Sequence, residues 1–242
     1  LANERIYGDL RLTKVDKDYP DNKLTGAEFE VYRDTNGNKE LDEGDELLGK
    51  LEETSTGIYE MSHILYGGVF VKETKAPEGF LLDENAYYVE IAEHGKIYEV
   101  ENEAGIGFTN MAQTGSLRIE KTSSDGKVEG FSFRVTGVDY DQTFKTDKNG
   151  EIVIEGLRIG DYTVSEVSNK ASAGYILPAD KQATVKVDAT AIVQMHNEFR
   201  DTPKTGDDFN LGLWVSLAAL SVVGAGVLGF VSYKNRKKKK ED

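Results

Sequence analysis

The chain contains an internal repeat that divides most of its 242 residues into two units of similar length. Residues 3–14 (NERIYGDLRLTK) correspond to residues 110–121 (NMAQTGSLRIEK), with the same spacing between their Asn, Gly and Lys positions. Two further motifs recur in the same order: G-x-x-F-x-V at Gly26 and Gly130, and a run that ends in V-x-E at Gly67 and Gly160. Because a repeated sequence unit folds as a repeated structural unit, the chain is predicted to contain tandem domains.

Each unit has the sequence pattern of a small β-domain. Leu10, Leu12 and Lys14 alternate at the period of a strand, so they share one face. The dipeptides Asp125-Gly126 and Asn149-Gly150 are typical of β-hairpins. We therefore predict an all-β chain of tandem small antiparallel β-sandwiches. The predicted boundaries are 1–7 for the end of a preceding repeat, 8–112 for the first domain and 113–200 for the second.

Residues 211–233 contain no charged side chain and form the longest apolar stretch of the chain. A helix that rises about 1.5 Å per residue would span roughly 30 Å over this length, which matches the hydrocarbon core of a bilayer. A buried core helix is the alternative, but such a helix would keep a polar face. The basic residues of 234–242 would hold this end in the cytoplasm. The sequence therefore predicts a transmembrane helix at 211–233, with the preceding domains outside the cell.

A short polar segment, 201–210, precedes the predicted span and contains a Pro-x-Thr-Gly motif. The order of motif, spacer, apolar span and basic end resembles the cell-wall sorting signal of Gram-positive surface proteins. The resemblance implies that a sortase, a membrane-bound cysteine transpeptidase, cleaves after Thr205 and joins its carbonyl to an amine of peptidoglycan. It thus implies a secreted, wall-anchored protein with a transient membrane stage. The motif residues are Thr202, Pro203, Lys204, Thr205 and Gly206, and Thr202 replaces the usual Leu, which leaves the sortase class open.

Three polar side chains in each unit fall on the apolar side of a predicted strand. Each follows two apolar residues at a spacing of two, the period at which side chains share one face of a strand. The runs in the first unit are Leu10-Leu12-Lys14, Val69-Val71-Glu73 and Ile106-Phe108-Asn110. The runs in the second unit are Leu117-Ile119-Lys121, Tyr162-Val164-Glu166 and Val193-Met195-Asn197.

A lysine enclosed in an apolar core beside a carboxyl and a carboxamide points to an amide-forming reaction. Burial would lower the pKa of the Lys and raise that of the Glu, which gives a neutral amine beside a protonated acid. The amine would attack the Asn carboxamide while the Glu polarises its oxygen and transfers protons as ammonia leaves. The predicted products are isopeptide bonds from Lys14 to Asn110 and from Lys121 to Asn197. The alternative is that the lysines snorkel and the Asn residues form turns.

These residues resemble the pattern of the Cna B-type, SpaA-like domains of Gram-positive adhesins and pilins. The first unit has V-x-E followed by A-P-x-G-F within residues 71–80. The second unit departs from the pattern, because residues 166–175 (EVSNKASAGY) are longer and lack the Pro. The resemblance implies a prealbumin-like sandwich that forms its isopeptide bond without an enzyme, with Glu73 and Glu166 as catalytic acids. Asn102 competes with Asn110 as the bond partner in the first unit.

Oxygen-bearing side chains recur at every second position from Asp34 to Asp42 in the acidic run 34–45. The Asp-x-Asn-x-Asn start resembles a calcium loop, but the sixth position is Lys39 rather than Gly and the twelfth is Asp45 rather than Glu. The alternative is an acidic hairpin loop that binds no cation. The predicted ligands, if calcium binds, are Asp34, Asn36, Asn38 and Asp42, and no other cofactor is predicted.

Composition excludes several classes of function. A net charge of −14 argues against a nucleic-acid partner, and the absence of Cys excludes disulfides and thiolate metal sites. None of the three His residues lies in a recognisable catalytic or metal motif, so apart from self-cross-linking no enzyme is predicted. The predicted function is a stalk or pilin-like part that holds distal domains away from the wall. The alternative is an adhesin that itself binds a host or partner protein.

Overall fold

Strands and turns make up the regular structure of residues 4–200, which are the residues that the computed structural model describes. Within this range no helix has the length and apolarity needed to cross a membrane. The prediction of an all-β fold is confirmed for these residues. The sorting motif at 202–206, the predicted span at 211–233 and the basic tail at 234–242 lie outside the described residues.

The first domain is built from two sheets. Its strands are β1 (Tyr7–Asp16), β2 (Glu28–Arg33), β3 (Glu46–Lys50), β4 (Glu52–Ser55), β5 (Ile58–Leu65), β6 (Gly67–Lys75), β7 (Ala86–Ile91), β8 (Ile97–Glu99) and β9 (Phe108–Asn110). One sheet has the order β4-β5-β1-β8, and β9 also pairs with β1. The other has the order β3-β2-β6-β7. Both β1 and β6 therefore lie inside their sheets, where their core-facing side chains are enclosed.

The second domain repeats this plan with fewer strands. Its strands are β10 (Thr114–Ser123), β11 (Ser132–Gly137), β12 (Tyr140–Lys145), β13 (Glu151–Arg158), β14 (Gly160–Val167), β15 (Tyr175–Ile176), β16 (Lys181–Val185) and β17 (Thr190–Phe199). The sheets have the orders β13-β10-β17-β15 and β12-β11-β14-β16. The interior strands β10 and β14 correspond to β1 and β6 of the first domain.

The first and last strands of each domain run side by side in the same direction, which corrects the prediction of purely antiparallel sheets. In the first domain β1 pairs in parallel with both β8 and β9. In the second domain β10 pairs in parallel with β17 along eight residue pairs. Side-chain alternation has a period of two in either strand direction, so the sequence pattern could not distinguish the two arrangements.

Alternation explains which side chains form the two cores. In β1 the buried positions include Leu10, Leu12 and Lys14, whereas the residues between them are partly exposed. The first core also contains Phe29, Val31, Tyr59, Val69, Val71, Ile91 and Phe108. The second core contains Leu117, Ile119, Phe131, Phe133, Val135, Tyr162, Val164, Val193 and Met195. Each domain thus buries its own apolar cluster between its two sheets.

The two dipeptides predicted to form hairpins instead connect opposite sheets. Asp125-Gly126 lies between β10 and β11, and Asn149-Gly150 lies between β12 and β13. Gly126 and Gly150 adopt φ values of 80° and 81°, so both dipeptides do form tight turns that use the left-handed freedom of glycine. The turn residues therefore indicated where the chain reverses, but core packing decided which sheet the next strand joins.

Arg158, at the end of β13, fixes the joint between the domains. Its guanidinium makes two hydrogen bonds to Asp16, of 2.5 and 3.0 Å, and one of 3.1 Å to Asp18. The guanidinium carbon lies 4.8 Å from the centre of the Tyr19 ring. Asp16 is only 1% exposed, so this ion pair is shielded from water. Because only residues 111–113 separate β9 from β10, the short connection and the ion pair act on the same joint.

Candidate cross-linking sites

Lys14 is enclosed in the core of the first domain beside a carboxyl group. The side chains of Lys14 and Glu73 are both 0% exposed, and Lys14 Nζ lies 3.6 Å from Glu73 Oε1. The same Nζ donates a hydrogen bond of 3.1 Å to the Phe108 carbonyl and lies 5.0 Å from the centre of the Phe108 ring. The amine therefore contacts one carboxyl, one carbonyl and an aromatic face.

Glu73 stands between Lys14 and Asn110. Its Oε2, the oxygen that does not face Lys14, accepts a hydrogen bond of 2.8 Å from Asn110 Nδ2. The same oxygen accepts the backbone N–H of Asp83 at 2.9 Å. Asn110 Nδ2 also donates to the Leu81 carbonyl at 2.5 Å. One carboxyl group thus connects the amine to the carboxamide, as a proton-transfer group between them requires.

The second domain buries the corresponding residues with fewer contacts. Lys121, Glu166 and Asn197 are 3%, 8% and 0% exposed. Asn197 Nδ2 donates a hydrogen bond of 2.8 Å to Glu166 Oε1. Lys121 Nζ donates to the Thr122 carbonyl and lies 4.1 Å from the centre of the Phe131 ring. In the described part of the chain no ion pair of 4.0 Å or less joins Lys121 to Glu166.

Strand register gives the two sets of residues equivalent positions. In each domain the Glu lies opposite the Phe of the G-x-x-F-x-V motif, and the Lys lies opposite the residue two positions before the Asn. The register pairs are Phe29–Glu73 and Lys14–Phe108 in the first domain, and Phe133–Glu166 and Lys121–Met195 in the second. Because residues two apart on a strand share a face, the Lys and Asn side chains lie on the core face of adjacent strands in both domains.

Burial shifts the pKa values of both partners toward their neutral forms. It lowers the pKa of Lys14 to about 8, although the negative charge of Glu73 opposes this shift. Burial likewise raises the pKa of Glu73. The second domain shows the same directions, because burial lowers the pKa of Lys121 and raises that of Glu166. Burial thus shifts both sites toward a neutral amine beside a protonated acid, the form in which the amine is nucleophilic.

Each site also leaves two buried oxygens without a hydrogen-bond partner among the described residues. They are Glu73 Oε1 and Asn110 Oδ1 in the first domain, and Glu166 Oε2 and Asn197 Oδ1 in the second. A buried acceptor without a donor costs about 1–3 kcal/mol. A proton on the Glu supplies a donor, because a neutral carboxyl group can donate to a carboxamide oxygen. The four oxygens without partners are therefore consistent with a Glu that is protonated in the reactive form of each site.

Two residues near the first site differ from the sequence-based expectation. Ile106, expected to share the buried face of Asn110, is 39% exposed and precedes β9. It lies in a turn in which its N–H donates to the Glu103 carbonyl, so the strand alternation does not extend to it. Asn102, the competing bond partner, donates to Asp83 Oδ2 at 2.9 Å and to the Thr109 carbonyl at 2.8 Å. Asn102 therefore connects Asp83 to the backbone of β9, next to Asn110.

The four candidate calcium ligands lie in one exposed loop between β2 and β3. Asp34 Oδ1 accepts the Gly37 N–H at 2.7 Å. Asp42 Oδ2 accepts the side-chain amides of Asn36 and Asn38 at 2.9 and 2.8 Å. These oxygens are therefore engaged within the loop, and within residues 4–200 no three His, Asp or Glu side chains gather as a metal-binding group. Calcium binding stays a prediction.

Sequence reasoning missed two backbone groups that contact the first site, the Leu81 carbonyl and the Asp83 N–H. Every residue has a carbonyl and nearly every residue has an N–H, so such contacts have no residue signature. The A-P-x-G-F motif, which ends at Phe80, was the one signal close to them.

Comparison with known proteins matches the chain to one domain family. The family described as "SpaA: Prealbumin-like fold domain" matches residues 8–104 and 115–199. No curated protein matches the chain. Among solved structures, the TIE protein of Bacillus anthracis is 25% identical with a TM-score of 0.61, and the match covers 83% of this chain and 35% of that chain. The chain therefore spans about a third of the length of that protein.

Two pilus proteins are similar at lower levels. The pilus adhesin SpaC of Lactobacillus rhamnosus GG is 13% identical with a TM-score of 0.47, over 82% of this chain and 32% of that chain. The minor pilin of Streptococcus agalactiae is 18% identical with a TM-score of 0.36, over 82% of this chain and 98% of that chain.

Proposed function

Because the chain belongs to the SpaA family of prealbumin-like domains, we propose that it is the stalk portion of a sortase-anchored cell-surface protein, self-cross-linked by two Lys–Asn isopeptide bonds. One observation carries the proposal: the same buried Lys, Glu and Asn occur in the same register in both domains. A single buried lysine is costly and has several explanations. A reaction common to both domains explains why the same buried Lys, Glu and Asn occur twice in one chain.

The residues of the first site supply each step of that reaction. Neutral Lys14 Nζ attacks Asn110 Cγ, and Glu73 donates its proton toward the carboxamide oxygen where negative charge develops. Glu73 then carries a proton from the attacking nitrogen to Nδ2. The Cγ–Nδ2 bond breaks, ammonia leaves, and the oxygen returns its proton to Glu73 as the carbonyl forms again. The new Nζ–Cγ amide remains, with Glu73 protonated as at the start. Lys121, Asn197 and Glu166 take the same roles in the second domain.

The proposed bonds join the strands through which the chain enters and leaves each domain. Lys14 lies on β1 and Asn110 on β9, and these strands are paired in parallel. Lys121 and Asn197 lie on the parallel pair β10 and β17. Tension applied to the two ends would pass through the isopeptide bond, so the segment between the bonded residues would carry none. A tie across a loop of this size also restricts the unfolded chain by roughly 4 kcal/mol. These properties suit a stalk.

The proposed anchor rests on the order of motifs after residue 200. Sortase would cleave between Thr205 and Gly206 and transfer the Thr205 carbonyl to peptidoglycan, after the apolar segment 211–233 has held the precursor in the membrane. The mature protein would therefore be located on the cell wall of a Gram-positive bacterium.

A stalk is favoured over direct binding of a host protein by the interdomain joint. Tyr19 is an aromatic side chain that is 45% exposed, and it packs on Arg158 at that joint. The buried ion pair and the short connection would hold two successive domains at a fixed spacing. A fixed spacing between domains serves to project other domains away from a surface.

Intact mass spectrometry of residues 1–200 tests the cross-links. The expected mass is lower than the sequence mass by one ammonia per domain, and tryptic digestion should yield the branched peptides that contain Lys14–Asn110 and Lys121–Asn197. A mass equal to that of the sequence would refute cross-linking in both domains. Lys14→Met is a matched control, because it should restore one ammonia and leave the second bond intact.

Release by a muramidase tests the anchor. Protein released from cell walls should end at Thr205 with a peptidoglycan fragment attached, and it should lack residues 211–233. Thr205→Ala should leave the protein in the membrane fraction. Released protein that retains its apolar end would contradict the sortase step while leaving the cross-linking proposal unaffected.

A further inference from the structure

A segment after the A-P-x-G-F motif contacts the first site at two points. The Leu81 carbonyl accepts a hydrogen bond of 2.5 Å from Asn110 Nδ2, the nitrogen that leaves in the proposed reaction. The Asp83 N–H donates at 2.9 Å to Glu73 Oε2. One short segment therefore touches both the leaving group and the proposed acid.

The Asp83 side chain fixes this segment in place. Its carboxylate accepts hydrogen bonds from the Tyr87 hydroxyl at 2.6 Å, from Asn102 Nδ2 at 2.9 Å and from the Asn85 N–H at 3.0 Å. At the other end, the Leu81 N–H donates to the Met111 carbonyl at 2.8 Å. Anchors on both sides therefore restrict the backbone groups that face Glu73 and Asn110.

The corresponding loop of the second domain is anchored elsewhere. Asn169 donates to the Gly130 carbonyl at 2.8 Å and to Ser132 Oγ at 2.6 Å, so it ties the loop to the start of β11. Within residues 4–200 no hydrogen bond runs from residues 168–174 of this loop to the side chain of Glu166 or Asn197. The only hydrogen bond that the carboxyl group of Glu166 receives among these residues comes from Asn197. The second site thus lacks the backbone support of the first.

We propose that residues 81–83 are a positioning element for the first cross-link, with Asp83 as the positioning residue, and that the first bond forms faster than the second. The proposal rests on the cross-linking function proposed above. Leu81 orients Cγ–Nδ2 of Asn110 so that this bond breaks as Nζ–Cγ forms, and Asp83 holds Glu73 between the two nitrogens. Correct orientation of reacting groups is worth orders of magnitude in rate, and a displacement of about 1 Å can cost about a hundredfold.

The same segment lines a cavity through which ammonia can leave. The cavity has a volume of about 260 Å³, and its lining includes Leu81, Leu82, Asp83, Asn102 and Asn110. Leu82 is 43% exposed, so the cavity is continuous with the protein surface. The leaving nitrogen would therefore be released next to a route to water.

The test is a pulse of cell-free synthesis of the full chain, sampled over time by quenching in denaturant. Tryptic digestion and mass spectrometry then report the two branched peptides separately. The rate of bond formation in the second domain is therefore an internal reference for the rate in the first. The variants are Asp83→Ala, which removes the hydrogen bonds of the Asp83 side chain, Asp83→Asn, which keeps one acceptor oxygen for Tyr87 and Asn102, and Asn169→Ala, which loosens the matched loop of the second domain. Circular dichroism establishes that each variant folds.

In the wild-type chain the first bond is expected to form at least about tenfold faster than the second. Asp83→Ala should slow the first bond by about tenfold or more without changing the second, and Asp83→Asn should restore part of that rate, because one acceptor oxygen remains for Tyr87 and Asn102. Asn169→Ala should leave both rates unchanged. A folded Asp83→Ala chain that forms the first bond at the wild-type rate would overturn the proposal. Absence of both branched peptides from the wild-type chain would instead refute the cross-linking function itself.

Discussion

The two domains hold the same three residues in the same register, but they support them differently. In the first domain Glu73 accepts two hydrogen bonds and lies 3.6 Å from the lysine nitrogen. In the second, Glu166 accepts one such bond among the described residues, and Lys121 donates to a carbonyl of its own strand. Strand pairing therefore determines where the reacting groups lie, and the adjoining loop determines how firmly they are held.

The largest expected effect separates the two domains completely. Glu73→Gln should abolish loss of ammonia in the first domain only, and Glu166→Gln in the second only, because an amide cannot relay the proton. Each variant should lose the constraint of roughly 4 kcal/mol from its own domain, which should then unfold at a lower temperature and become sensitive to trypsin. Intact mass and calorimetry measure both effects.

The matched control for these variants is Glu155→Gln, an exposed side chain that should change neither mass nor stability. A Glu166→Gln chain that still lost both ammonia molecules would show that Glu166 is not the acid of the second domain. Glu73 and Glu166 would then occupy equivalent positions without having the same role in the reaction.

The next effect concerns the joint where the domains meet. Arg158→Ala should destabilise the first domain by about 3 kcal/mol, because it leaves Asp16 buried without its partner. The second domain should lose less, since the Arg158 side chain points toward the first. Denaturant unfolding of residues 1–200, with hydrogen exchange resolved by domain, measures the difference.

Arg134→Ala is the control for the joint, because its ion pair with Asp141 is exposed to solvent and should contribute little to stability. Burial raises the pKa of Asp16, but its hydrogen bonds, led by that from Arg158, outweigh burial and lower the pKa overall. A lowered folded-state pKa gives stability above the unfolded-state value that disappears as pH falls through the folded-state value. The gap between wild type and Arg158→Ala should therefore narrow in acid, and a gap independent of pH would contradict this role.

A third effect is the pH dependence of cross-linking. In its reactive form the pair of Lys14 and Glu73 holds one proton in total, and that proton is on Glu73. Above the pKa of Lys14, about 8, the pair holds no proton, and below the raised pKa of Glu73 it holds two, so that the amine is protonated. The rate should therefore be bell-shaped and fall about tenfold per pH unit on each side. Pulse synthesis at a series of pH values measures it.

The second domain should show a bell of the same form, because burial shifts the pKa values of Lys121 and Glu166 in the same directions. A rate that keeps rising above about pH 9 in one domain would show that its Glu is not required as an acid. The two domains would then differ in mechanism as well as in support.

The smallest effect lies in the acidic loop, which only the first domain possesses. Because Asp42 is exposed and its oxygens accept hydrogen bonds only within the loop, Asp42→Ala should leave the stability of the first domain nearly unchanged. Millimolar calcium should leave the melting temperature of the first domain unchanged, with magnesium as the control. A calcium-dependent rise that Asp42→Ala removes would establish the cation site predicted from the sequence.

Sequence alone was sufficient for features that depend on local periodicity. The repeat indicated two domains, and strand alternation placed Lys14 and Lys121 on the faces where both are buried. It did so because side chains of a strand alternate strictly, whatever the strand pairs with. The same reasoning failed at Ile106, since the alternation stops where the chain turns.

Tertiary structure decided what depends on partners far apart in the chain. The parallel pairing of β1 with β9, the contact of Arg158 with Asp16, and the support of Asn110 by the Leu81 carbonyl have no local signature. Strand direction, domain contact and backbone hydrogen bonds are settled only when the two sheets and two domains pack together. The residues that carry the proposed reaction could therefore be identified from the sequence. How firmly each domain holds these residues could be seen only in the tertiary structure.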